Sequence, residues 1–337
     1  MPDPIVTLKA GGLALTSFDA LTIRREIDSI ADAFSFTGAS RPEIRARIKP
    51  RQYTPAEVWL DKTKVLTGQI EKIDTSLSGA SINFEGRSKT GAMIECSLGE
   101  PSNWSNLTLG YIGGQKATLY GTKVSLPQGD SKPCGQTIGS PEQTVADFLQ
   151  TLAHDMGWLW HSNADGALEL IRPNPKGKPV AALIEGQGAL QDVAFSCDDT
   201  GMFQTYKATM QMGSWPALKA SVTDPGIKVH RFIQRSGATG ESHDIDRAAR
   251  QDMAESIAKA FTMQVTLSTW TTDAGIPFEP GQIITLKAPS VYIDNVTAFM
   301  ISSVEFGLAA GEGFKTTLNL VLPTLYSFDP IGAFPWD

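Results

Sequence analysis

The sequence predicts a mainly β, multidomain protein, with two barrel-like modules related by internal duplication and smaller α/β parts between and around them. Three observations carry that expectation. The first is the run from Ala56 to Ser97, which reads as three consecutive antiparallel strands: Ala56–Leu60, Val65–Asp74 and Ser81–Glu85. They are separated by the polar turn Asp61-Lys62-Thr63-Lys64 and the small-residue turn Ser76–Ala80, and Ile82 and Phe84 alternate with polar neighbours as half-buried strands require. The second is a recurrence of the same pattern near the C-terminus. Phe278–Leu286, Ala298–Gly307 and Phe314–Leu322 follow one another with Ala309–Gly313 as the small turn. The third is a content of 31 glycines and 20 prolines, which favours many short strands and turns over long helices.

A length of 337 residues exceeds that of a typical single domain, and 41% hydrophobic with 19% charged residues describes an ordinary globular chain with real cores. A net charge of −7 makes the chain a poor holder of a phosphate backbone, because Lys and Arg supply most of that affinity. The start, MPDPIVTLKAGG, lacks the basic and apolar regions of a signal peptide. No apolar run approaches the roughly 20 residues a membrane-spanning helix needs, so no stable membrane insertion is expected. Cys96, Cys134 and Cys197 are widely spaced and odd in number, which reads as free or buried thiols of a reducing cytoplasm. Without a secretion signal, the sequons at Asn103, Asn106 and Asn295 carry no meaning.

Along the chain, Ile5–Leu8 and Ala20–Arg24 read as opening strands, and Arg25–Phe34 as a short helix or a wide connection. Arg41–Arg51 is the strongest charge run; it reads as a solvated rim, or as an edge meeting an acidic surface of a neighbouring subunit. Gly113–Ser140 reads as a domain entrance. A helix follows, with Ser140 as N-cap, Pro141 at the first position and Val145, Phe148, Leu149 and Leu152 on one face. Trp158–Trp160 and Ala167–Ile171 form a hairpin around Asn163–Gly166, and Pro173–Lys178 is a linker. Leu190–Ser196 and Met202–Met212 read as paired strands around Asp198–Gly201. Lys228–Gln234 is a strand, Asp244 opens the longest helix, and Met263–Thr269 feeds the second module.

Candidate chemistry is sparse. His154-Asp155 with His161 would need a third ligand or a nucleophile; a helix C-terminus, where His154 meets the dipole, accounts for them. His243, Asp244 and Asp246 suit a cation but equally suit the first turn of a helix. Asp198-Asp199 is a carboxylate pair, yet a turn explains it and adjacent side chains on a strand diverge. The glycines of Gly110–Gly114 and Gly311–Gly313 match no phosphate-binding fingerprint and read as turns. Trp104, Trp158, Trp160 and Trp270 read as core or subunit-interface anchors. No catalytic, cofactor-binding or metal-binding residue is assigned, and no cofactor is expected.

The run RPEIRARIKPRQYTPAEVWLDKTKVLTGQIEKIDTSLSGASINFEGRSKTGAMIECS (Arg41–Ser97) resembles the N-terminal module of the baseplate hub proteins of contractile-tailed phages, the Mu-type hub in the late control protein D group. ASVTDPGIKVHRFI (Ala220–Ile233), the helix after it and FEPGQIITL (Phe278–Leu286) are similar to the C-terminal half of that family, in the same order. The resemblance implies a non-enzymatic virion protein made and assembled in the bacterial host cytoplasm. It would be a homotrimeric ring at the baseplate centre, below the tail tube or its initiator, holding the central spike, flanked by wedge proteins and passing DNA through its lumen. The expected division is a first β tube module at 1–98, an α/β peripheral domain at 99–184, and a second tube module from 185–211 and 259–327. A strand-helix segment at 212–258 and a C-terminal tail at 328–337 complete it. The competing readings are a peptidoglycan- or carbohydrate-active β-rich enzyme and a glycan- or receptor-binding β protein; neither accounts for a β module that occurs twice.

Overall fold

The computed structural model of the chain describes residues 5–77, 80–210, 218–236, 244–309, 311, 313–323 and 325–327. In the first half, β1 (Val6–Ala10), β2 (Leu13–Leu15), β3 (Ala20–Glu26), β4 (Ala33–Ala39), the short helix α1 (Pro42–Arg47), β5 (Pro55–Leu60), β6 (Thr63–Thr75) and β7 (Ser81–Ser88) follow one another. Arg25–Phe34 is therefore not a helix: β3 continues to Glu26 and a tight link leads into β4. Backbone pairing settles this, since Ile27 N donates to Ser302 O across a neighbouring strand.

The middle of the chain holds β8 (Asn103–Ser105), α2 (Leu109–Leu119), β9 (Val124–Ser125), β10 (Gln136–Ile138), α3 (Val145–Asp155), β11 (Leu159–Ser162) and β12 (Leu168–Ile171). The glycines at 110–114 lie inside α2, not in a turn. Thr108 caps that helix by accepting from Tyr111 N, and a Cβ on Gly113 would meet the Trp160 ring at 2.7 Å, so glycine is what lets the helix pack there. α3 begins at Val145 with Thr144 as its cap, later than the Ser140 start that the sequence suggests. The preceding residues are drawn off the helix by an isolated bridge between Ser97 and Thr144, with Leu98 N donating to Gln143 O and Val145 N to Cys96 O.

The last part comprises β13 (Pro179–Ile184), β14 (Leu190–Cys197), β15 (Thr205–Met210), β16 (Leu218–Thr223), β17 (Phe232–Ser236), α4 (Asp244–Ala260), β18 (Phe261–Leu267), β19 (Ile283–Ala288), β20 (Ile293–Ala309) and β21 (Gly313–Val321). β14 and β15 do not pair with each other. β14 pairs with β18, whereas β15 pairs with β16 and β17 in a separate three-stranded sheet. The tail at 328–337, and with it Phe328, Phe334 and Trp336, lies outside the described residues.

A 13-stranded sheet unites the two ends of the chain in the order β14-β18-β21-β20-β3-β4-β7-β6-β5-β1-β2, with β19 and β13 branching from β20. The same strand path is traced twice. β3-β4-β7-β6-β5-β1 in the first half corresponds to β14-β18-β21-β20-β19-β13 in the second, strand for strand and in the same chain order. One direction differs: β1 runs antiparallel to β5, but β13 runs parallel to β19. Even the irregularities correspond, with β6 bulging between Ile70 and Lys72 and β20 between Ile301 and Ser303. This architecture, mainly β with smaller α/β parts, is compatible with an internal duplication.

One apolar core runs under both halves, from Leu8, Ile23, Phe36 and Val58 to Val265, Trp270, Phe299 and Phe306. A second core, with Trp104, Phe148, Leu149 and Trp160, belongs to the α/β part and reaches the first module through Ile30. Trp104, Trp158, Trp160 and Trp270 are all buried.

Candidate functional site: a polar sheet face and its seam

Strands that bury one face present the alternate residues on the other. On the large sheet, that second face is polar over its whole width. One cross-strand row runs Lys72, Glu85, Ser35, Thr22, Gly307, Lys315; the next runs Gln69, Arg87, Ala33, Arg24, Glu305, Thr317, Thr266. Both rows cross from the first half into the second through the pairing of β3 with β20, so the face is continuous.

Its cations are answered locally. Lys72 Nζ lies 2.8 Å from Asp74 Oδ2 and 3.0 Å from Glu85 Oε1. The hydrogen bond to Asp74 raises the Lys72 pKa and holds the Asp74 carboxyl below its usual range. Arg87 donates to Glu71 at 2.7 Å and to Glu95 at 2.5 Å, and Arg24 pairs with Glu26. Ser35 and Thr37 hydroxyls donate to Asn83 Oδ1 at 3.1 and 3.0 Å, while Asn83 Nδ2 donates to Glu85. Unpaired Lys and Arg bind phosphates by releasing the counterions condensed around the polyanion. On this face Lys72, Arg87 and Arg24 already carry carboxylate partners.

The seam between the halves is anchored beneath this face. β3 pairs with β20 from Leu21↔Leu308 to Glu26↔Ser303. On its core side Arg25 Nε donates to Asp32 Oδ2 at 3.1 Å and Nη1 reaches Glu279 Oε1 at 3.5 Å. Burial opposes the charge on Arg25, but Asp32 and Glu279 outweigh it and the guanidinium is held cationic. Burial pushes the Asp32 carboxyl up, against the pull of Arg25. This trio was not legible in the sequence, because Arg25 and Glu279 stand 254 positions apart.

The residues singled out from the sequence are scattered over the molecule. His154, in the last turn of α3, has Nε2 2.8 Å from Asp28 Oδ1; burial disfavours its cation, but Asp28 outweighs that and the His154 pKa is raised. His161 faces Glu169, with Nε2 3.4 Å from Oε1, and Glu169 is drawn down to about 2 by His161 and then by Asn163. Asp198 caps a short 3₁₀ turn, Asp199–Gly201, by accepting from Thr200 N at 2.9 Å, and the Asp199 carboxylate accepts from Cys197 Sγ at 3.2 Å. Asp244 opens α4 with Asp246 in its first turn, and His243 lies outside the described residues. Among the described residues no group of His, Cys, Asp and Glu side chains is placed to hold a metal ion. Cys96, Cys134 and Cys197 are free thiols. Arg41, Arg45, Arg47, Lys49 and Arg51 are exposed on and beyond α1, with Arg45 donating to Ser40 Oγ at 2.7 Å. Among the described residues no helix is long and apolar enough to cross a membrane.

Residues 5–88 match the family of Mu phage baseplate assembly protein GpP-like, N-terminal. Over 339 aligned residues, 94% of this chain and 87% of the other, the sequence is 24% identical to baseplate hub protein gp44 of Escherichia phage Mu. The fold is shared with the tail protein from Neisseria meningitidis MC58, at a TM-score of 0.85 and 20% identity over 97% of this chain and 99% of that one. It is also shared with the 43 kDa tail protein of prophage MuSo2 from Shewanella oneidensis, at a TM-score of 0.83 and 20% identity over 96% and 99%. The resemblance to Mu-type hubs carried by Arg41–Ser97, Ala220–Ile233 and Phe278–Leu286 thus extends along nearly the whole chain.

Proposed function

We propose that this relative of the Mu baseplate hub protein is itself the central hub of a contractile phage or prophage-derived tail, a structural ring joining the tail tube to the central spike. The observation that carries the reading is the doubled strand path, fused through β3 and β20 under one continuous polar face. A chain with two like modules, repeated three times about an axis, offers six like positions around a channel. That geometry adapts a sixfold tube above to a threefold spike below, since symmetry repeats every interface.

In this reading the first tube module takes the strands from β1 to β7, and the second takes β13, β14 and β18 to β21. The α/β part at 99–178 and the insertion at 199–260 stand at the periphery, where wedge proteins would contact them. The polar face lines the lumen. Its paired cations let DNA pass in transit without holding it, and the work of the chain is assembly, not catalysis. It is assembled in the host cytoplasm and resides in the virion at the tail baseplate.

Light scattering on the purified chain tests the reading. It predicts a particle of three times the 36.3 kDa chain mass. A monomer at micromolar concentration, together with a clearing zone on cell-wall zymograms that Asp198→Ala and Asp199→Ala abolish, would replace the hub with a wall-degrading enzyme.

A further inference from the structure

The internal seam specifies the residues of the seam between copies. β20 changes partner at its bulge: before Ser302 it pairs with β19, and beyond it, from Ser303 to Leu308, with β3. β6 does the same on one side only. Pro55–Leu60 covers it from Thr63 to Gln69, and beyond Glu71 no strand among the described residues covers its outer edge. β14, which occupies the position of β3 in the second half, ends the large sheet, and among the described residues no strand covers its outer edge.

The register transfers residue by residue. Pairing through β21 and β18 sets Ile301 opposite Leu320, Leu320 opposite Met263 and Met263 opposite Phe195; pairing through β7 and β4 sets Ile70, Gly86, Phe34 and Ile23 in the same places. Ser303 thus corresponds to Lys72 and Glu26 to Asp198. Leu308↔Leu21 and Val304↔Arg25 of the internal seam become Leu77↔Val193 and Ile73↔Cys197.

Resting on the hub reading, we infer that β6 of one copy pairs antiparallel with β14 of the next, with Lys72 against Asp198, Ile73 against Cys197 and Leu77 against Val193. Exposure agrees with a missing neighbour at these places. Leu77 is 108% exposed, Val193 is half-buried and Cys197 is exposed, whereas Leu21 and Arg25, which hold the positions of Val193 and Cys197 in the internal seam, are 3% and 5% exposed. Charge agrees too: Lys72 meets Asp198, and opposite charges directly across a strand pair are favourable. The occupant is a second copy of this chain because the two open edges have the geometry already joined once within it.

Disulfide trapping tests the register. Facing Cα atoms in antiparallel strands stand about 4.5–5.5 Å apart, within the roughly 4.4–6.8 Å a disulfide spans. In the full chain carrying Cys96→Ser, Ile73→Cys should form a bond to the native Cys197 of the next copy under copper-phenanthroline, giving covalent dimers and trimers. Leu77→Cys with Val193→Cys, in a Cys197→Ser background, should do the same and guards against a folding defect at Ile73. Asp74→Cys, on the opposite face, should stay uncrosslinked. A bond from position 73 to Phe195→Cys instead, or particles of trimer mass with neither predicted bond, overturns the seam and leaves the hub standing. Monomers with no bond at any position overturn both.

Discussion

Arg25 Nε donates to Asp32 Oδ2 at 3.1 Å with both side chains almost wholly buried, 6% and 1% exposed. The pair sits where β3 leaves the first module and turns back beside β20 of the second. Removing one member strands the other's charge away from water, which costs about 3–5 kcal/mol. Asp32→Ala should therefore destabilise the chain by that amount in denaturant unfolding followed by tryptophan fluorescence. Glu279→Ala, whose carboxylate is 46% exposed and 3.5 Å from Arg25, should cost much less.

Gly86 is where β7 passes over Phe34. A Cβ there would lie 2.1 Å from Gln69 O and 2.4 Å from Phe34 Cζ, neither of which has room to retreat. Overpacking of this kind costs about 1–3 kcal/mol, and a backbone clash puts Gly86→Ala at or above the upper end. Hydrogen exchange should report faster opening in β6 and β7 than in β20 and β21.

Trp270 is 1% exposed, donates from Nε1 to Lys315 O at 2.9 Å and stacks edge-on against Phe314 with centroids 4.9 Å apart. Trp270→Ala should destabilise by about 3–5 kcal/mol. Trp270→Phe should recover most of that, while leaving the Lys315 carbonyl without its indole donor. Equilibrium unfolding of the two variants separates packing from the hydrogen bond.

His154 bonds Asp28 across the junction of the α/β part with the first module, and its folded pKa is raised above the unfolded value of about 6.5. Its contribution is then fully present below about pH 6.5 and is lost as pH rises through the folded value. The stability difference between the native chain and Asp28→Asn should be largest in mildly acidic buffer and shrink in alkaline buffer. A difference that is flat from pH 5 to 9 would show the pair to be electrostatically idle.

What the sequence revealed follows from physical periodicity. Ile82 and Phe84, or Leu318 and Leu320, alternate because their strands bury one face, so β5 to β7 and β19 to β21 were legible. α2 was not legible, since Gly110, Gly113 and Gly114 look like a turn until Trp160 is seen pressed against Gly113. The Ser140-Pro141 start of α3 failed because tertiary bonds to Cys96 and Leu98 outbid a good local cap. The pairing of β14 with β18 was hidden behind the 199–260 insertion, which made Met202–Met212 look like its natural partner. The polar face and its ion pairs lay out of reach for another reason: Lys72, Glu85 and Ser35 become neighbours only when register is known.

End-on electron-microscopy class averages of the purified particle test the central claim most directly, namely that one chain supplies two equivalent wall segments of a channel. Threefold rings whose central opening has a near-sixfold outline are expected. Single compact particles, or rings in which only one segment per chain lines the opening, would contradict it.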